Sequence, residues 1–220
     1  MFRNLLEKMK SMVGNRIDFD PSSLNDPVAM QTDWTPAKGG GANFRTHKLV
    51  SVSYDRLEFR ASTGAKLFYL LFLLVGMGVL IGFSFFKLSS GGFSLDTETL
   101  MPLLFSLVFL CVGGWLLYFG TAPIVFDMRK GYFWKGRKAP DEVYNRQTLK
   151  YFAKFEQIHA LQLISEYCRG NKSSYYSYEL NIILKNGKRI NVVDHGNQNK
   201  LRDDAAILSA FLGKPVWDAI

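Results

Sequence analysis

Two stretches of the chain run for 20 residues each without a charge, Leu67 to Phe86 (LFYLLFLLVGMGVLIGFSFF) and Leu100 to Phe119 (LMPLLFSLVFLCVGGWLLYF). A helix rising about 1.5 Å per residue needs about that length to cross roughly 30 Å of hydrocarbon. The pattern therefore predicts an integral membrane protein and argues against a soluble single-domain enzyme. The first run begins after 66 residues that include charged and strand-like segments. It is also longer than a signal-peptide core, so both spans are expected in the mature protein. About 100 residues follow the second span, room for one small globular domain.

Basic residues bracket the pair of spans. Lys48, Arg56, Arg60 and Lys66 precede the first, and Arg129, Lys130, Lys135, Arg137 and Lys138 follow the second. The loop between them has Lys87 at its edge, then Asp96 and Glu98 in a Ser/Gly-rich stretch. Basic flanks favour the cytoplasmic side, so the expectation is a multi-pass membrane protein with both termini cytoplasmic. The net charge of +8 then has the anionic headgroups of the bilayer as its partner. No helix-turn-helix, RNP or zinc-finger pattern accompanies that charge, so no nucleic-acid partner is expected. Arg129, Lys130, Trp134, Lys135, Arg137 and Lys138 are the candidate membrane-surface residues, with Trp115, Tyr118, Tyr132 and Trp134 as an aromatic belt.

Residues 1–16 contain an amphipathic helical pattern, with Phe2, Leu5, Leu6, Met9, Met12 and Val13 on one side and Arg3, Glu7, Lys8 and Lys10 on the other. Its apolar stripe suits either the headgroup layer or the protein's own domain. Residues 17–48 are dense in Pro, Gly, Asn and Asp and read as an irregular linker. The run Lys38-Gly39-Gly40-Gly41 lacks the order of a phosphate loop and reads as a flexible connection. Alternation over 49–60 predicts a β-hairpin, the spans follow at 67–86 and 100–119, and 120–220 is the expected cytosolic domain.

Within that last region, Ile124-Val125-Phe126 and Tyr132-Phe133-Trp134 flank a turn-prone Asp127 to Gly131, and Ile158 to Tyr167 is a less regular strand pattern. Tyr178 to Lys185 and Lys188 to Val193 flank Asn186-Gly187, which predicts a hairpin closed by a type I′ turn. Leu201, Ala205, Leu208 and Leu212 recur at helical spacing before Gly213 and Pro215, so a helix is expected to end there. Trp217 and Ile220 are expected to pin the tail.

This order of elements resembles the bacterial membrane-anchored pleckstrin-homology-like domains, over about half the chain. The resemblance implies an integral membrane α+β protein: a two-helix transmembrane hairpin and a cytosolic antiparallel β-domain closed by a C-terminal helix. It also implies that the hairpin at 49–60 joins the C-terminal domain. Inositol phosphate binding does not carry over, because the first hairpin turn offers Arg56 without the basic cluster of lipid-binding members.

The chemistry-bearing residues are sparse. His47, His159 and His195 stand apart, with no carboxylate or thiol at metal-ligand spacing, and Asp194-His195-Gly196 reads as a turn. Cys111 and Cys168 do not form a disulfide framework. No metal, cofactor or catalytic residue is expected. Neither span contains Asp, Glu, Lys, Arg or His, which argues against transport by a single chain. Gly78-x-x-x-Gly82 and Gly113-Gly114 permit close helix approach, within one hairpin or in a homo-oligomer. Arg169, Lys172, Tyr175 and Tyr176 form a Tyr/Arg/Ser mixture suited to protein contacts. The expected function is therefore non-enzymatic: a cytosolic domain that binds an unidentified protein partner or the membrane surface. An immunity protein against a membrane-acting or translocated toxin is the alternative.

Overall fold

The computed structural model describes residues 19–37, 39–92, 96–144, 151–169 and 173–220. The amphipathic pattern of residues 1–16 and Lys172 lie outside them. The chain forms two compact units, one from Ala61–Ala122 and the other from Pro123–Ile220 together with residues up to Arg60.

The first unit is a helical hairpin. Helix α2 covers Thr63–Ser89 and α3 covers Thr97–Gly120, 27 and 24 residues long, and both are apolar enough to cross a membrane. Each start is capped by a side chain, Ser62 accepting from Ala65 N–H at 3.1 Å and Asp96 from Thr99 N–H at 2.8 Å. The helices touch through glycines other than the Gly78-x-x-x-Gly82 pair. A Cβ at Gly76 would lie 2.9 Å from Ser106 O, and one at Gly113 would lie 2.7 Å from Leu73 N, so the backbones meet at these two points. Gly78, Gly82 and Gly114 have open space around them. Phe72 and Phe109 stack across the interface, with centroids 5.7 Å apart.

The second unit holds two sheets. Strands β1 (His47–Ser53), β2 (Arg56–Ala61), β3 (Ile124–Asp127), β4 (Tyr132–Lys135) and β5 (Phe152–Lys154) form one, in that order. β6 (Ile158–Arg169), β7 (Ser174–Leu184), β8 (Arg189–His195) and β9 (Val216–Ala219) form the other, in the order β8-β7-β6-β9. Strands β2 and β3 flank the helical hairpin in sequence yet pair directly, Leu57 opposite Phe126 and Phe59 opposite Ile124. Phe59, Phe126 and Phe133 of the first sheet, Leu161, Leu163, Leu180 and Ile182 of the second, and Leu201, Ala205 and Leu208 of helix α4 (Gln198–Leu212) share one hydrophobic core.

Helix α4 begins where Asn197 accepts from Lys200 N–H at 3.0 Å and ends at Gly213, whose φ of 63° is left-handed. The β7–β8 turn departs from type I′. Gly187 is left-handed but Asn186 is not, because the Asn186 carboxamide accepts from Lys188 N–H at 3.1 Å. Gly187 N–H donates to Leu184 O at 2.8 Å and Leu184 N–H to Lys188 O at 2.9 Å, a longer loop with glycine at the bulge position. The tail is a strand: β9 lies parallel to β6, with Trp217 opposite Gln162.

A strap of irregular chain crosses the second sheet before β1. Two Asp-Pro steps start its short helical turns. Asp20 caps Pro21–Leu24 and Asp26 caps α1 (Pro27–Gln31) from the position before a first-turn proline. Ala29 packs with Ala160, Ile183 and Trp217, while Trp34 stands 5.8 Å from Trp217. Some of the strap's polar groups bond locally, as Asp20 does with Ser22, and others reach a sheet far away in sequence, as Thr32 Oγ1 does to Gly187 O at 2.7 Å.

Candidate functional site

Strands β6 and β7 form the longest pair of the second unit, from Ile158↔Leu184 through a bulge before Ala160↔Ile183 and then in register to Arg169↔Ser174. Strand β8 accompanies β7 only as far as Tyr178, and β9 accompanies β6 only from Leu161 to Ile164. The far end of the hairpin therefore extends as an arm. Side chains alternate across it. Leu161, Leu163, Leu180 and Ile182 face the core, and Tyr167 and Tyr176 continue that face beyond it. These two tyrosines stand opposite each other with ring centroids 5.2 Å apart, and they are 39% and 46% exposed.

Of the candidate partner-binding residues, Arg169 is exposed at the end of the arm, Tyr176 belongs to the ring pair, and Tyr175 is turned to the opposite face. There the Tyr175 hydroxyl donates to Gly41 O at 2.9 Å. Gly40, Glu166, Tyr167, Cys168, Arg169 and Tyr175 line an open cleft of about 310 Å³. Burial, followed by the neighbouring Glu166 charge, pushes the Cys168 thiol above its ordinary value, which disfavours the nucleophilic thiolate. Tyr167 was missed as a site residue because it closes a strand-like run in sequence. Its exposure follows from the unequal strand lengths.

The candidate membrane-surface residues fall into two groups. Arg129 and Lys130 occupy the β3–β4 turn beside the β1–β2 turn, where Met128 N–H donates to Asp55 O at 2.8 Å and Arg129 pairs with Asp55 at 2.9 Å. Lys130 pairs with Asp141 at 2.7 Å. Lys135, Arg137 and Lys138 lie at or beyond the other end of β4, where Gly136 N–H donates to Pro123 O at 2.9 Å. The four-residue strand β4 thus lies between the two groups. Trp134 is 2% exposed, packed with Val125 and Ala139 and lying under Arg56 at 5.6 Å, so its ring serves the domain's own packing.

The histidines do two different things. His159 Nε2 is 2.7 Å from Asp26 on the strap and its ring meets Trp217 at 5.7 Å, so it fastens the strap to the sheet. His195 is fully buried and His47 half-buried, both close to Arg45, which donates to His47 O at 3.1 Å and pairs with Asp204 at 2.7 Å. Burial, then the Lys135 charge, brings His47 down to about 4, and burial, then Arg45 and His47, does the same to His195. His195 Nδ1 accepts from Asn197 N–H at 3.2 Å, which leaves the proton on Nε2, buried without a partner among the described residues. Among the described residues, no three His, Cys, Asp or Glu side chains come together as a metal site. No family model matches the sequence, and no curated protein or solved structure is significantly similar to it.

Proposed function

We propose that this chain is a two-pass protein of a bacterial inner membrane whose cytosolic, pleckstrin-homology-like domain works by binding a protein partner rather than by catalysis. The basic flanks of α2 and α3 support the orientation. Two sheets closed by a C-terminal helix around one core support the domain type. Lys135, Arg137 and Lys138, held beside Pro123, suit a surface that rests on anionic headgroups. A membrane-impermeant thiol reagent applied to intact cells should modify a cysteine at Ser90 and spare one at Asn197. Equal modification would refute this orientation.

The single observation that carries the partner reading is the exposed Tyr167–Tyr176 pair on the arm, with Arg169 beyond it. Tyrosine and arginine supply large, amphipathic contacts at little rotamer cost and dominate protein interfaces. The heads of the other titratable groups point to structural work: His195 is buried and neutral, and the Cys168 thiol stays protonated. The test is affinity capture of the full chain from solubilised membranes, wild type against a Tyr167→Ser, Tyr176→Ser double variant. A specific partner should be recovered at least ten times less with the variant, at unchanged melting temperature. Equal recovery would remove the arm from the interface.

A further inference from the structure

The two halves of the strap are held in different ways. Its first half buries side chains, Ala29 and Trp34 against Ala160, Ile183 and Trp217. Its second half offers mainly main chain. Gln162 Nε2 donates to Asp33 O at 3.1 Å, and Arg189 donates to Thr35 O at 2.5 Å. Ala37 N–H donates to the Glu179 carboxylate at 2.9 Å. Gly40 and Gly41 N–H donate to the two oxygens of Glu166 at 2.9 and 3.1 Å, and Gly41 O accepts from Tyr175.

The sheet face under this second half is polar except for Ile164, which is fully buried between Gln162 and Glu166. Gln162 and Glu166 of β6 alternate onto it, as do Ser177, Glu179 and Asn181 of β7. Gln162, Ser177, Glu179 and Asn181 are fully buried beneath the strap, an unusual fate for such residues in a face made only to be covered. Two polar atoms, Ser177 Oγ and Asn181 Oδ1, have no hydrogen-bond partner among the described residues, so the strap leaves part of the face unmet. One position is selective. A Cβ at Gly41 would fall 2.1 Å from Ser177 Oγ, so the face admits glycine there and nothing larger.

We infer that the outer face of β6–β7, from Gln162 to Glu166 and from Tyr175 to Asn181, is a groove for an extended, glycine-containing polypeptide segment of a partner protein, occupied in this chain by residues 35–37 and 39–41. It lies on the face of β6–β7 opposite the Tyr167–Tyr176 pair, so it goes beyond the partner reading and does not rest on that pair. Recognition is through the ligand's main chain: consecutive N–H groups are read by Glu166 and Glu179, a carbonyl by Tyr175, and the glycine by the wall at Ser177. An occupant held largely by hydrogen bonds, each worth little net against the entropy of ordering the segment, is exchangeable. The apolar anchor at Ala29 and Trp34 keeps it close while it is displaced.

The experiment uses the full chain in nanodiscs, with Gly41→Val to expel the strap without altering the groove. The probe is a fluorescent peptide carrying residues 32–43 in trans, alongside the same peptide with valine at the Gly41 position. Hydrogen exchange at Ala37 and Gly40 reports release. The variant should lose protection there and bind the glycine peptide at least tenfold tighter than wild type. It should ignore the valine peptide, and Glu166→Ala in the same background should weaken binding at least tenfold. Release without peptide binding, or binding indifferent to Glu166 and to the glycine, overturns the inference. So does protection retained in both Gly41→Val and Gly41→Phe, since the strap would then be a fixed part of the fold. Exchange of straps between two copies, seen as a Gly41→Val dimer that excludes the peptide, also overturns it. Any of these results alongside a capture that still depends on Tyr167 and Tyr176 removes the groove and leaves the partner reading standing.

Discussion

His47 and His195 illustrate how a residue's neighbours set its chemistry. Both titrate near 4 in the folded chain, against an ordinary value of 6.5. The folded state therefore binds fewer protons than the unfolded one between those values, and stability falls as pH falls. The contribution of each neutral histidine is complete above pH 6.5 and is lost as pH drops through about 4, on the order of 3 kcal/mol per histidine. Asp204 works the other way, since burial raises it above its ordinary value and proton uptake there offsets part of the loss at the acid end. Melting of the purified protein should shift steeply downward between pH 6.5 and 4.5, and His195→Gln should flatten that slope. A melting temperature constant over this interval would contradict the assignment. The sequence did not disclose this pair. His47 and His195 are brought to Arg45 by the fold, whereas the turn reading of Asp194-His195-Gly196 used only local chemistry. The strap's bonds escaped for the same reason, because Glu166 and Glu179 are acceptors far along the chain. The Asn186 turn escaped differently: its own side chain chose between two local geometries that both suit Asn-Gly.

At the scale of elements, local signals carried well where a short-range cause sufficed. Helix α4 starts at Asn197 and stops at Gly213 because a side-chain cap and a left-handed glycine lie at its ends. The hydrophobic runs over-determine α2 and α3. Short elements such as β5 and β9 were not legible, since three or four residues offer no periodicity and their pairing is tertiary. Gly113 was named with Gly114 and is a contact point, but Gly76 was passed over for the more recognisable Gly78-x-x-x-Gly82, because spacing along one helix does not say which face meets the other. Strand β2 gives the sharpest element-level prediction. Phe59 is fully buried with Phe126 in the common core, its ring 6.4 Å away. Phe59→Ala should cost about 3–5 kcal/mol, read as a lower denaturant midpoint for the second unit. A neutral substitution would mean that the segment before α2 is only a lead-in to the membrane.

At the scale of the molecule, one globular unit is assembled from chain on both sides of an apolar helical hairpin. Strands β2 and β3 are neighbours, and Phe59 and Ile124 face each other across the pair. Such partners lie about 5 Å apart between Cα atoms, a gap that a tight turn spans. The hairpin of α2 and α3 is thus an insertion between adjacent strands, and the domain's core does not need it. The most direct measurement joins Arg60 to Pro123 through a short Gly/Ser turn in place of residues 61–122 and compares the product with residues 123–220 alone. The joined chain should be soluble, monomeric and cooperative in thermal unfolding. Residues 123–220 alone should associate or be proteolysed, because the edge of β3 and the space left by Phe59 are uncovered. A joined chain that fails to fold, or an isolated 123–220 that unfolds just as cooperatively, would contradict the account.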